Sequence, residues 1–281
     1  MTKPTIVLVP GAWVYYLEYI AGELLLTTLQ HIPEHFAQVQ NILEDEGYAC
    51  VGVHLPSNAH EPYVNGRLVD FNDDVSTARQ VITEVLDAGS DVVVVVHSYG
   101  TLVGTAALKD LSPDTRKAAG HTNGVKALVI IAGFVLPEGI SMLQAMGGQL
   151  PPQYLHEGDT TLPFAGPGAI EVLYNDLDTL DAQKAIWRLK PQSYAINTTP
   201  MPDAAASLRG IPLSYLACDK DNACPYPIQI QTIDALKAMD QSVYAEVAPT
   251  GHSPFIRMPE ETARFVRRAA GEDVQSGFKG L

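Results

Sequence analysis

The sequence predicts an α/β fold: a mostly parallel central sheet flanked by helices, with a helical cap inserted into it. Three observations carry that expectation. Short β-branched apolar runs alternate with segments of helical period. One run, Val92-Val93-Val94-Val95-Val96, is apolar at every position, as a parallel strand covered on both faces requires. From Pro137 to Arg209 the alternation stops and loops and helices rich in Pro and Gly take over.

In chain order, strands are expected at 5–9, 48–53, 91–97, 125–132, 212–217 and 242–247. Helices are expected at 33–46, 75–86, 101–111, 228–238 and 259–270. Residues 137–209 show no convincing strand pattern and read as a helical cap, which leaves 1–136 and 210–281 as the core. Ligands of parallel sheets bind at the carboxyl ends of the strands, so a cap there roofs the site.

The 281 residues allow one to two domains at about 150 residues each. With 46% hydrophobic and 18% charged residues, the chain is a packed globule and not a disordered one. Eighteen Lys+Arg against thirty-two Asp+Glu leave a net charge of −14. Nucleic acid and anionic membrane surfaces both need clustered cations, so neither is an expected partner. The expected partner is a small-molecule substrate, and the sequence leaves the oligomeric state open. Cys50, Cys218 and Cys224 are an odd number of thiols without zinc spacing; they fit a reducing, cytoplasmic setting. No phosphate loop or metal-ligand spacing appears, so neither cofactor nor metal is expected.

The most informative segment is the end of the all-valine run: Val96-His97-Ser98-Tyr99-Gly100-Thr101. A buried strand enters a Ser with Gly two positions later and then a helix. That is a nucleophile elbow, a sharp turn that lifts the Ser hydroxyl above the sheet edge. Crowding there favours small residues two before and two after Ser98. Gly100 satisfies this; Val96 does not, and implies strain or a relaxed turn.

A Ser hydroxyl needs a base, and a His base needs a carboxylate to hold it. In elbow-type folds the chain order is Ser, acid, His. His252, in Gly251-His252-Ser253-Pro254-Phe255, alone among the eight histidines lies late enough. Asp219 and Asp221 compete as the acid after the strand at 212–217. Asp221 is preferred, because Asn222-Ala223-Cys224-Pro225 leads directly from it into the next helix. The oxyanion hole is expected from the backbone N–H groups of Ala12 and Tyr99, with Gly11 allowing close approach. Trp13 either lines the substrate pocket or packs the core.

These motifs resemble the α/β-hydrolase superfamily over nearly the whole chain. The likeness is to small cofactor-free esterase-type hydrolases of bacteria and filamentous fungi, relatives of the plant methylesterases and hydroxynitrile lyases. It rests on Val-x-x-x-His-Ser-Tyr-Gly, on Cys218-x-x-Asp221, and on Gly-His-Ser-Pro-Phe. It implies the α/β-hydrolase fold, a helical cap after Phe134-Val135-Leu136-Pro137, and the triad Ser98, Asp221 and His252. Pro10 stands where many relatives have His, and Val96 where many have Gly. Ser253 follows the His where the lyases place a Lys soon after it, which argues against cyanohydrin cleavage. A dehalogenase would need Asp in place of Ser98.

One stretch is anomalous. Relatives run from Gly-Ala-Trp almost directly into His-x-Pro-Glu-His-Phe, whereas here Val14 through Gln30, seventeen residues, separate Trp13 from His31. Val14-Tyr15 fits an intron's 5′ end, Leu26-Thr27 can encode a branch point, and Gln30 can be CAG. The segment 14–30 therefore reads as a translated retained intron. The competing reading is an amphipathic helix extending the cap, with Tyr16, Tyr19, Ile20 and Leu24 on one face.

The function these features point to is serine hydrolysis of esterase type on a small hydrophobic ester or related carbonyl, with secondary metabolism as a setting. Leu150, Tyr154, Leu155, Phe164 and Trp187 in the cap favour a hydrophobic substrate, unless they merely pack the cap. Two other classes share the scaffold: a polyketide-type cyclase, lyase or decarboxylase, and a small-molecule binding protein.

Overall fold

Every residue of Val92–Val96 is buried, and its side chains alternate between two cores. Val92, Val94 and Val96 join one apolar cluster, while Val93 and Val95 join the other. The first strand divides in the same way, with Val7 and Val9 on one face and Ile6 and Leu8 on the opposite face. Each such buried side chain contributes about 1.5–3 kcal/mol relative to exposure, so a sheet covered on both faces is strongly specified by these runs alone.

The computed structural model describes residues 2–13, 34–152, 154–163, 167–239 and 241–281. The anomalous segment 14–30 lies outside the described residues.

The first half of the chain contributes β1 (Thr5–Val9), α1 (Ala37–Asp45), β2 (Cys50–Gly52), a small hairpin of β3 (Tyr63–Val64) and β4 (Arg67–Leu68), α2 (Phe71–Asp87), β5 (Val92–His97), α3 (Gly100–Ala107), α4 (Pro113–Ala118) and β6 (Val125–Ile131). Next come α5 (Met142–Ala145), β7 (Tyr154–Glu157), β8 (Thr160–Pro163), α6 (Pro167–Leu173), α7 (Thr179–Trp187), β9 (Gln192–Ser193) and α8 (Ala204–Leu208). The chain ends with β10 (Leu213–Cys218), α9 (Tyr226–Ala238), β11 (Val243–Ala248), α10 (Pro254–Arg257), α11 (Pro259–Ala269) and β12 (Lys279–Gly280).

The central sheet has seven strands in the order β12-β11-β10-β6-β5-β1-β2. All pairings are parallel except the antiparallel edge strand β12 on β11. Helices α2, α3, α8 and α9 pack toward the Val7/Val94 face; α1 and α11 cover the Ile6/Val95 face. Helix α2 begins four residues before the expected 75. The Asp70 side chain accepts from the Asn72 N–H, and Asp73 returns a bond to the Asp70 N–H, forming a capping box. Such reciprocal capping satisfies otherwise orphaned donors.

The segment between β6 and β10 corrects one expectation. It does contain strands: β7, β8 and β9 form a three-stranded antiparallel sheet. They are two to four residues long and separated by up to 28 residues of chain, so no local alternation announces them. The small sheet is tied to the core where the Ser193 N–H donates to the Ser57 carbonyl at 2.8 Å.

Val96 is accommodated by a neighbour on α3. A Cβ added to Gly104 would lie 2.3 Å from Val96 Cγ1; the missing side chain of Gly104 gives Val96 its space. Gly104→Ala is therefore expected to destabilise the protein by about 1–3 kcal/mol through overpacking. In a Val96→Ala background the same change should be neutral or stabilising by up to about 1 kcal/mol, the ordinary helix preference for Ala. A double-mutant cycle by chemical denaturation measures this coupling, and additive effects would contradict it.

Candidate active site

The carboxyl ends of β1, β5, β10 and β11 open on one cavity of about 540 Å3. Ser98 sits directly after β5 with φ +52°, a left-handed conformation that costs a non-glycine residue about 1–3 kcal/mol. The turn holds because backbone crosses it closely. A Cβ on Gly100 would lie 2.3 Å from the Pro10 carbonyl oxygen and 2.8 Å from that of Val9. Gly11 meets Ser98 from the other side, where a Cβ would lie 3.1 Å from Ser98 Cβ. The β1 loop and the elbow are thus in contact through two glycines.

Gly11, Ala12, Ser98, Tyr99 and His252 all line the cavity. Among the described residues, neither the Ala12 nor the Tyr99 backbone N–H is given to a protein acceptor. Tyr99 opens α3, where the helix dipole favours negative charge. The Ser98 hydroxyl makes no hydrogen bond to a described residue; in apo sites such contacts often form only with substrate bound.

His252 Nδ1–H donates to Asp221 Oδ2 at 2.7 Å, and both side chains are buried. The Asp221 carboxylate also accepts from the Ala223 and Cys224 N–H groups at 2.8 and 2.9 Å and from Gln229 Nε2 at 3.0 Å. Of the two competing acids, the structure brings Asp221 to His252 and leaves Asp219 exposed. The loop carrying His252 is held from the β6–β10 segment too: the Gly251 N–H donates to Asp176 Oδ2 at 2.7 Å.

Trp13 is buried at the cavity wall. It lines the cavity with its ring 4.8 Å from that of Tyr154, and its indole N–H donates to the Thr161 carbonyl at 3.1 Å. Its own N–H donates to Asn58 Oδ1, and Asn58 Nδ2 returns a bond to the Gly11 carbonyl. Of the five apolar residues left between substrate contact and cap packing, Tyr154 lines the cavity, while Leu150 and Leu155 are not among its described walls. Trp187 is 88% exposed at the end of α7, so it faces solvent and not the cavity. Phe164 lies outside the described residues.

Several residues that tie the loops of the site together were not singled out from the sequence. His97 Nε2–H donates to the His252 carbonyl oxygen at 2.9 Å, joining the elbow to the base loop. Burial, with His252 beside it, holds the His97 imidazole well below the usual histidine range, so it stays a neutral strut. Asp74, on α2, is fully buried and accepts from the Ser57 N–H, the Ser57 hydroxyl and the Tyr99 hydroxyl at 3.0, 2.6 and 2.7 Å. The motif could have flagged His97, since it stands inside it. Asp74, Ser57 and Asn58 are brought in only by the fold.

Burial raises the Asp74 carboxyl to about 6, with the Ser57 and Tyr99 hydrogen bonds opposing the rise. Its folded pKa exceeds the unfolded value of about 3.9, so its contribution to stability is full below about pH 4. It is lost as pH rises through 6, a change on the order of 3 kcal/mol. Between pH 4.5 and 7, the melting temperature of the wild type should therefore fall relative to Asp74→Asn, which removes the titration. Parallel pH profiles of the two proteins would refute the assignment.

A family model described as the alpha/beta hydrolase family matches residues 6–265. "Alpha/beta hydrolase nvfD" of Aspergillus novofumigatus is 30% identical over 98% of this chain and 100% of its own length. A pyrethroid hydrolase from Sphingobium faniae superposes with a TM-score of 0.70 at 18% identity, covering 96% of this chain and 98% of its own. A methylesterase from Arabidopsis gives 0.64 at 17% identity, over 95% and 99%. With its parallel sheet, its strained Ser98 and its Asp221–His252 pair in place, the chain belongs to the alpha/beta hydrolase family.

Proposed function

We propose that the protein is a serine hydrolase of esterase type that acts on a hydrophobic ester or related carbonyl compound. The observation that carries the reading is the meeting on one cavity of Ser98, the Asp221–His252 pair and two backbone N–H groups given to no described residue. His252 Nε2 takes the Ser98 proton as Oγ attacks the carbonyl carbon, and Asp221 stabilises the imidazolium formed. The Ala12 and Tyr99 N–H groups hold the oxyanion, worth several kcal/mol when charge develops. Collapse of the tetrahedral intermediate breaks the bond to the alkoxide, which takes the proton from His252. Water, activated by the same His252, then attacks the acyl-Ser98 carbonyl and releases the acid.

Residues 137–209 act as a cap over this centre, since Met142, Tyr154, Tyr174 and Asn197 all contribute to the cavity wall. No Asp, Glu, Lys or Arg side chain is among its described walls, which favours an uncharged substrate. The pyrethroid hydrolase and the methylesterase that share this architecture support a hydrolytic reading. The test is labelling with a fluorophosphonate and a panel of esters of graded chain length, followed by product analysis. Stoichiometric label on Ser98 with release of acid and alcohol is expected. Absence of label, or an isomerised or cleaved product without water incorporated, would point to cyclase or lyase chemistry instead.

A further inference from the structure

The turn between α6 and α7 lies across both catalytic loops. Asn175 Nδ2 donates to the Lys220 carbonyl at 2.9 Å, and the Gly251 N–H donates to Asp176 Oδ2 at 2.7 Å. Lys220 stands immediately before Asp221, and Gly251 immediately before His252. The two loops are also joined directly, where the Lys220 N–H donates to the Thr250 carbonyl at 3.0 Å. The turn itself is firmly seated. The Leu177 N–H donates to the Tyr174 carbonyl at 3.1 Å, and the Tyr174 hydroxyl shares a hydrogen bond with His35 Nε2 at 2.9 Å. Leu173 and Tyr174 pack with Ala182 and Ala185, and Ala223 of the acid loop and Ile256 of α10 pack against this cluster.

Two features of the contact go beyond a plain structural tie. Gly251 does not have the positive φ that favours glycine, so its backbone does not call for one. Space does: a Cβ there would lie 2.2 Å from Asn175 Oδ1 and 2.8 Å from Asp176 Oδ1. Both of these oxygens are also buried and accept no hydrogen bond from a described residue. The Asn175 amide cannot turn over to relieve this, because the Lys220 carbonyl only accepts and needs its nitrogen. A buried unpaired acceptor costs about 1–3 kcal/mol. The turn is thus held against the base loop more closely than stability alone favours.

We propose that Asp176 and Asn175 are positioning residues for the Asp221–His252 pair. From the cap segment they fix the residue before each member of the pair, and so the aim of His252 at Ser98. The proposal rests on the esterase reading of the site. Neither residue is among the described walls of the cavity, so both act through the catalytic pair and not on the substrate.

The test compares Asp176→Ala, Asp176→Asn and Ser193→Ala with the wild type. The readouts are steady-state kinetics on a chromogenic ester, the rate at which a fluorophosphonate labels Ser98, and thermal melting. Asp176→Ala is expected to lower kcat and the labelling rate together by roughly 10–100-fold, the cost of moving a catalytic group by about 1 Å. KM should stay within about threefold, since no substrate contact is lost. Asp176→Asn keeps an oxygen for the Gly251 N–H and should recover most of the loss. Ser193→Ala removes a different tie of the cap segment, to the Val69 carbonyl at 2.5 Å; it should lower the melting temperature and leave kcat unchanged. Gly251→Ala should lose kcat with both side chains in place, and cost much less in an Asn175→Ala background, where the nearest obstruction is gone. That cycle remains informative if Asp176→Ala does not fold. Wild-type kcat in Asp176→Ala, no recovery in Asp176→Asn, an equal loss in Ser193→Ala, or a Gly251→Ala loss unmoved by Asn175→Ala would each overturn the proposal. If wild-type Ser98 takes no label, the esterase reading fails and the positioning role with it. If wild type and Asp176→Ala label equally fast, the positioning role alone fails.

Discussion

Ser98→Ala is expected to lower ester turnover by about 10^4–10^6-fold, the cost of removing the nucleophile from a unit whose members act together. The melting temperature should hardly move. Ser98 makes no hydrogen bond to a described residue, and alanine inherits the same φ of +52° without relieving or adding strain. His252→Ala should cost a similar factor, and the double variant no more than either single one, because the base has no role without the nucleophile. Asp221→Asn should lose about 10^4-fold, since an amide at the 2.7 Å contact favours the wrong His252 tautomer. Steady-state kinetics on a chromogenic ester, with circular dichroism for the fold, check all four proteins. A multiplicative loss in the double variant would mean that Ser98 and His252 do not act on one proton.

Gly100→Ala is expected to have the largest effect on stability, about 3 kcal/mol or more. The added Cβ would lie 2.3 Å from the Pro10 carbonyl oxygen and 2.8 Å from that of Val9. Both are backbone atoms at the end of a fully buried central strand, so neither can rotate away as a side chain would. Relief requires the β1 end to retreat, and that strand is paired on both edges, to β5 and β2. Any retreat would carry Gly11 and Ala12 with it, so the surviving folded protein should also lose kcat. Gly280→Ala is the control, since nothing lies within 4 Å of its Cβ position, and it should be neutral in both respects. Denaturant midpoints and kcat measure the two effects; a Gly100→Ala protein as stable and active as the control would refute the crossing of the two loops at this point.

The order of strands and helices was legible because its signals are local. The all-valine run, the Gly after Ser98 and the Gly/Pro context of His252 each act within a few residues. The departure at Val96 was legible as a departure only. Its resolution lies at Gly104, eight residues on, on a helix whose packing brings the missing side chain against the valine. The strands β7, β8 and β9 were not legible, because two to four residues hold too little alternation to outweigh the Pro and Gly around them. Trp187 takes neither of the roles left open for it: its place in the sequence puts it in the cap, but the packing of α7 turns it outward.

The sequence by itself determined the two-faced parallel sheet, the strained turn at Ser98, and the order of Ser98, Asp221 and His252 along the chain. Hydrophobic period and turn chemistry are written in neighbouring residues, so these need no partner to be read. Only the tertiary structure decided that Asp221 and not Asp219 meets His252, that His97 braces the base loop, and that Asp74, Ser57 and Gln192 form one chain from Tyr99 to the cavity wall. Each of those depends on a hydrogen bond between residues that the fold alone brings within 3 Å or so, where burial makes an unpaired group costly.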